Sequence, residues 1–293
     1  MKTNILIRRR AALGDVVMVS GIVRELYQQY AGNCNITVAT DYPTVFDHNP
    51  YCKAVPHAWY DKIEAHVRYD LDDAYEYDPS THFTKSYFNR VFGSSDAYNM
   101  SPELYTTDEA RALVDSDIAK INAPFIAIHM RNWAWAMKNI PFDIWCEIIS
   151  GIFETRVDHK IVIVGGKTDY FIEDHPLIID ARERYTPGQL SYFFGSNQCK
   201  CYMGIDSGPY HIAAASNVRI ISLLTHNPPE CIIPIRNGQL GWNTSTIQPM
   251  VDCAGCNIRQ KTPVRKIECE KIDFPCNRTW DINKIVDSVL MAL

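Results

Sequence analysis

The stretch NILIRRRAALGDVVMVSGIVRELYQQYAGNCNITVAT, residues 4–40, decides the fold. Residues 4–8 are a short run of β-type character. Val16, Val19, Val23, Leu26, Tyr27 and Tyr30 then recur at three- and four-residue spacing, which predicts a helix with one apolar face. Ala31-Gly32-Asn33 supplies the stop signal, and residues 36–40 read as a second strand. Strand, helix, strand is the unit from which parallel sheets covered by helices are built.

A second pattern of the same kind begins after a linker at residues 122–124. Strands are predicted at 125–129, 160–164, 200–205 and 219–224, and helices at 141–153, 187–194 and 209–216. Proline stands in the first turn of the helix at 141, and Thr186 is a candidate N-cap for the helix after it. Between the two patterns, residues 57–105 are rich in Tyr, Phe, Trp and His and carry an acidic run at 70–73, which predicts loops and short helices. A helix is expected over 103–120. A terminal helix, 279–293, places Ile282, Ile285, Val286, Val289 and Leu290 on one face and is expected to pack back on the first unit. The expected fold class is α/β, with two doubly wound domains, 1–121 and 122–278, facing a cleft.

The chain has 293 residues, enough for two ordinary domains that fold without disulfides. Its net charge of −5, with both signs interspersed, argues against broad binding to nucleic acid or anionic membranes. No stretch reaches the ~20 apolar residues of a transmembrane helix. The N-terminal apolar run is short and is followed, not preceded, by arginines, so a cytoplasmic protein is expected.

Three strand-to-helix turns carry candidate chemistry, because ligands of open α/β sheets bind at the carboxyl ends of the strands. In the first, RRAALGD at 9–15, Gly14 would admit a ligand close to backbone, and Asp15 is a candidate general base for an acceptor hydroxyl. Asp is also a favoured N-cap, and spacing alone favours that role. The turn has one glycine, against the three of a dinucleotide fingerprint. In the second, MGIDSGPYH at 203–211, Ser207 and Gly208 open a helix whose free N–H groups suit a phosphate. Asp206 would repel that phosphate unless it caps the turn or binds a sugar hydroxyl, and His211 lies one turn in. In the third, RNWAWAMKNIP at 131–141, Arg131 and Lys138 could neutralise phosphate charge, while Trp133 and Trp135 could stack on a base or sugar.

Together these segments resemble the heptosyltransferases, glycosyltransferase family 9. The resemblance is carried by ALGD at 12–15, NPYCKAVP at 49–56, the K-x-x-P of Lys138 to Pro141 and GIDSGPYHIAAA at 204–215. Where the family has K-x-W-P, this chain has Ile140, and its segment at 225–229 reads THNPP. The resemblance implies the GT-B architecture, two Rossmann-like domains, and an inverting transfer without a catalytic metal. It implies Asp15 as base, with Lys138, Arg131 and the turn Asp206, Ser207 and Gly208, with Gly14 and His211 nearby, holding a nucleotide-diphosphate sugar. An ADP-heptose-like donor and a lipopolysaccharide core glycan as acceptor follow from the same resemblance. An acceptor protein or a hydroxylated DNA base is the alternative.

Ten cysteines are many for such a chain. Cys253 and Cys256 stand in C-x-x-C spacing, followed by Cys269 and Cys276, the format of a closed tetrahedral site for structural zinc, or iron. Arg259, Lys261, Arg265 and Lys266 make the loop basic. A similar finger occurs in protein-modifying relatives of the family. A rival expectation is a non-catalytic metal-knuckle protein that binds nucleic acid, and the intact glycine turns speak against it.

Overall fold

The computed structural model describes residues 2–76, 80–132, 136–155, 158–256, 269, 271 and 273–293. Two parallel sheets organise it. The first holds β1 (Thr3–Arg8), β2 (Cys34–Thr40), β3 (Cys52–Pro56) and β4 (Val67–Asp70) in the order β3-β2-β1-β4. Helix α1 (Leu13–Gln29) makes the first crossover, as the opening stretch predicts. Two further helices, α2 (Phe83–Phe92) and α3 (Asp108–Ile121), complete this half.

The second sheet holds β5 (Phe125–His129), β6 (Lys160–Ile163), β7 (Ile178–Asp180), β8 (Cys199–Ile205) and β9 (Arg219–Leu223). Beyond the short pair β10 (Ile235–Arg236) and β11 (Gln239–Leu240), β12 (Thr244–Ile247) joins its edge, giving the order β12-β9-β8-β5-β6-β7. Every residue of β5 is buried, as a parallel strand covered on both faces requires. The helices of this half are α4 (Phe142–Thr155), α5 (Pro187–Phe194), α6 (Gly208–Ala214), α7 (Pro229–Ile232) and α8 (Ile282–Leu290). Thr186 caps α5, and Gln189 reaches back to the Thr186 N–H at 2.9 Å.

Three expectations are corrected. The helix predicted over 103–120 starts at Asp108, where the Thr107 hydroxyl accepts from Ala110 N at 3.2 Å. Glu103 is instead drawn to buried Arg24, whose Nη1 donates to it at 2.5 Å. Residues 57–105 hold short helices, as expected, but also the strand β4, whose four residues VRYD are too few to signal a strand by themselves. The terminal helix does not pack back on the first unit. Ile285, Val286 and Val289 of α8 bury against Trp145, Ile148, Ile149 and Ile152 of α4, across the outer face of the second sheet. Gly151 makes the notch: a Cβ there would lie 2.9 Å from Val286 Cγ2.

The two halves meet through α1 and α6. Two glycines permit this approach. A Cβ on Gly14 would overlap the His211 ring, and one on Gly208 would lie 2.6 Å from Leu13 Cδ2. Gly208→Ala is therefore expected to destabilise the fold by about 1–3 kcal/mol, the usual cost of overpacking, read as a lowered melting temperature.

Candidate active site

A cavity of about 930 Å³ opens between the carboxyl ends of the two sheets, bounded by residues from both. Its volume falls in the range of small-ligand sites.

The wall from the first sheet centres on Asp15. One carboxylate oxygen accepts from Ala12 N at 3.0 Å: the N-cap of α1 is Ala12, and Asp15 reaches back to it from the third helical position, which corrects the expected N-cap role. The other accepts from the Tyr87 hydroxyl at 2.9 Å and pairs with Arg9 at 3.1 Å. Arg9 is 2% exposed and also donates to Leu71 O at 3.0 Å and to Glu76 Oε1 at 2.8 Å. Its guanidinium lies against the Tyr75 and Tyr87 rings, 5.4 and 5.3 Å from their centroids. Burial alone would raise the Asp15 carboxyl, but the Arg9 charge and the Ala12 N–H outweigh it and hold the group below the usual carboxylate range. Glu76 goes the other way: burial outweighs Arg9 and raises its carboxyl, and Oε2 has no hydrogen-bond partner. Asp15 is thus the more acidic of two carboxyl groups that share one arginine, and both line the cavity.

The opposite wall centres on Asp206. Its Oδ2 accepts from Lys138 Nζ at 2.5 Å and Asn227 Nδ2 at 2.7 Å, and its Oδ1 meets His211 Nε2 at 3.1 Å. Burial would raise this carboxyl, yet Lys138 and His211 hold it well below the ordinary range. The negative charge of Asp206 is offset within the wall by Lys138. Arg131 also lines the cavity. Burial pushes its guanidinium down, against the opposing pull of Asp206 and Asp169. Thr225 Oγ1 donates to Met137 O at 2.5 Å, which ties the THNPP segment to the strand-to-helix turn carrying Lys138. His226 is buried beside Lys138, and burial pushes its imidazole down to about 3, so it stays neutral.

Ser207 is held from behind. Its Oγ lies 2.9 Å from His129 Nδ1 and 3.1 Å from Ile205 O. His129 Nε2 lies 2.9 Å from Asp169 Oδ2, and Asp169 also accepts from Gly166 N at 2.7 Å and Asn132 N at 3.0 Å. A side chain on Gly165 would overlap both His129 and Asp169, so its φ of 137° and missing Cβ are needed here.

The structure brings together Gly14, Asp15, Arg131, Lys138, Asp206, Ser207, Gly208 and His211 around one cavity. It corrects the two glycines, whose space is taken by His211 and Leu13. Trp133 and Trp135 lie outside the described residues. Sequence reasoning missed Glu76, Tyr87, His129, Asp169 and Asn227, which carry no spacing signal. The aromatic segment supplies Tyr75 and Phe83 to the wall, stacked at 3.9 Å, with Tyr87 buried behind Asp15.

The four cysteines of the C-terminal loop are described, but the basic residues Arg259, Lys261, Arg265 and Lys266 are not. Burial, then the neighbouring Cys253, Cys269 and Cys256, push the Cys276 thiol up to about 12, so the four sulfurs lie within electrostatic reach. Lys271 N donates to Cys269 Sγ at 3.4 Å. Among the described residues, no group of three or more His, Cys, Asp or Glu is positioned to hold a metal.

No family model matches the chain, and no curated protein sequence does. Solved structures do. The glycosyl transferase family 9 protein from Veillonella parvula superposes with a TM-score of 0.74 at 15% identity, over 100% of this chain and 98% of that one. The iron-containing dodecameric heptosyltransferase TibC, in complex with ADP-D-beta-D-heptose, gives 0.70 at 11% identity, over 99% of this chain and 76% of that one. The TibC protein comes from enterotoxigenic E. coli H10407. E. coli ADP-heptose lps heptosyltransferase II gives 0.66 at 14% identity, over 99% of both chains. The fold is that of the heptosyltransferase-like family 9 glycosyltransferases. Among the described residues, no helix is long and apolar enough to cross a membrane.

Proposed function

We propose that this chain, with its family 9 glycosyltransferase fold, moves a sugar from a nucleotide-diphosphate donor to an acceptor hydroxyl with inversion. The observation that carries the reading is the pair of cavity walls: an ionised carboxylate, Asp15, faces a wall bearing Lys138 and Arg131. Asp15 takes the acceptor proton as the acceptor oxygen attacks the anomeric carbon. The bond from that carbon to the phosphate oxygen breaks, and its electron pair leaves on the diphosphate. Lys138 and Arg131 meet the charge that develops there. Asp206 keeps Lys138 in place, and Asn227 steadies Asp206.

The nucleotide-sugar donor is assigned as ADP-heptose-like, because two of the similar structures are described by ADP-heptose. The acceptor is assigned as a lipopolysaccharide hydroxyl on the description of E. coli ADP-heptose lps heptosyltransferase II. Screening a panel of nucleotide sugars by thermal shift tests the donor. A ligand at a hundred times its Kd stabilises the native state by about 2.7 kcal/mol, so ADP-heptose is expected to raise the melting temperature. No shift from any nucleotide sugar overturns the function.

We also assign Cys253, Cys256, Cys269 and Cys276 to one structural metal, zinc or iron. The closeness of three sulfurs to Cys276 supports the fit, and TibC is described as iron-containing. Such a metal would stabilise the loop against unfolding, with no part in sugar transfer. About one metal per chain is expected by elemental analysis of purified protein, and Cys269→Ser is expected to lose it. Metal-free native protein with an unchanged melting temperature refutes the assignment.

A further inference from the structure

The His129, Asp169 and Ser207 chain has a role that the transfer reaction above leaves unassigned. Asp169 is ionised: burial would raise its carboxyl, but His129 and two backbone N–H groups hold it down. An ionised carboxylate only accepts hydrogen bonds. The His129 Nε2, 2.9 Å away, therefore carries a hydrogen, and the state of Nδ1 alone decides whether the ring is neutral or charged.

Ser207 has one hydroxyl proton, and His129 Nδ1 at 2.9 Å and Ile205 O at 3.1 Å lie behind it, with the Tyr202 hydroxyl beside it. When the ring is neutral, Nδ1 can only accept, so Ser207 must spend its proton on it. When the ring is charged, Nδ1–H donates to Ser207 Oγ instead. Only then can the Ser207 proton turn into the cavity and donate to an anion without leaving Nδ1 unpaired. Leaving a buried polar atom unpaired costs about 1–3 kcal/mol, so the two events are coupled. Ser207 makes no side-chain capping bond on its own helix, which leaves the hydroxyl available for this role.

Resting on the donor site assigned above, we propose that His129 is a proton-linked positioning residue: a diphosphate binds together with one proton on His129 Nδ1, which turns the Ser207 hydroxyl toward the phosphate. The balance is simple. One proton leaves the solvent and forms the N–H bond at Nδ1, the Ser207 O–H exchanges its inward acceptor for a phosphate oxygen, and no covalent bond of the donor changes. The groups facing the ring are Asp169 from the loop after β6, Ser207 from the turn after β8, and Tyr202 of β8 beside Ser207. Arg131 follows two residues on and interacts with both Asp169 and Asp206. The imidazolium adds a cation behind the anion while Asp169 neutralises it from the far side.

The consequence is a pH-dependent donor affinity. Over the range in which the empty ring is neutral and the occupied ring charged, affinity should fall about tenfold per unit rise in pH. The probe is inorganic pyrophosphate, titrated calorimetrically into the full chain at several pH values, in buffers of different ionisation enthalpy. Wild type is expected to take up close to one proton more than His129→Gln, which removes the titrating ring. Asp169→Asn, which removes the charge that favours the imidazolium, is expected to move the rise in affinity to lower pH by about 1–3 units. Nitrogen NMR of the His129 ring reads the same event directly, with Nδ1 becoming protonated as pyrophosphate saturates the site. Pyrophosphate that binds while the ring stays neutral, or with equal proton uptake in wild type and His129→Gln, overturns the relay and leaves the donor site standing. Absence of pyrophosphate binding in every variant overturns the donor site and the relay with it.

Discussion

Asp15→Ala is expected to reduce sugar transfer by about a hundred- to ten-thousand-fold, the usual contribution of a general base, while nucleotide-diphosphate binding stays within a few-fold of wild type. The asymmetry follows from position. Asp15 stands on the wall from the first sheet, while Lys138, Arg131 and Ser207 stand on the other. The substitution also removes an acceptor from Ala12 N and leaves buried Arg9 with Glu76 as its remaining carboxylate. Asp15→Asn keeps the size of the side chain and removes the charge, so it separates the loss of a base from the loss of a cap. Equal loss of transfer in both variants, with native melting of Asp15→Asn, is the expected result. Normal turnover by Asp15→Asn would remove the base assignment. Because Arg9 holds the Asp15 carboxyl below the usual range, the base stays ionised at neutral pH, and loss of activity from its protonation should come only on the acid side.

Asp206→Ala is expected to cost the fold about 3–5 kcal/mol, the scale for stranding one partner of a buried ion pair. Asp206 and Lys138 side chains are 10% and 16% exposed, and the same carboxylate also serves His211 and Asn227. Urea unfolding at pH 7 reads the loss as a lower midpoint. The pH dependence has a definite sign. The folded carboxyl lies well below its unfolded value near 4, so its contribution is complete above about pH 4 and is lost as pH falls toward the folded value. Wild type should therefore lose stability on acidification from pH 5 to 3, and Asp206→Ala should lose less. Equal midpoints for the two proteins at pH 7 would show that the buried pair does not hold the turn.

Much of the fold was legible in local patterns. The helix α5 was predicted to the residue because Thr186, Pro187 and Gln189 mark its start by local chemistry. Strand β5 was likewise exact, because the apolar run Phe125 to Ile128 is bounded by Pro124 and closed by His129 and the polar segment after it. Strand β4 was not, because VRYD gains its place from pairing with β1 rather than from its own composition. The packing of α8 turned on Gly151, a single missing Cβ on α4 that no periodicity in α8 announces.

The same division runs through the site. The sequence alone determined which residues stand at the carboxyl ends of the strands, since Asp15, Lys138, Asp206 and Ser207 each lie in the connection after a strand or in the first turn of the helix that follows, and chain direction in a parallel sheet puts all such connections at one edge. It could not determine how their charges are disposed. Arg9 and Glu76 are far apart in sequence, as are Lys138 and Asp206, or His129, Asp169 and Ser207. Only the tertiary structure decided that Asp15 is ionised beside an arginine, that Asp206 is neutralised by a lysine, and that Ser207 leans on a histidine. Charge and hydrogen bonding depend on distance and burial, and both are fixed by packing, which local sequence does not encode.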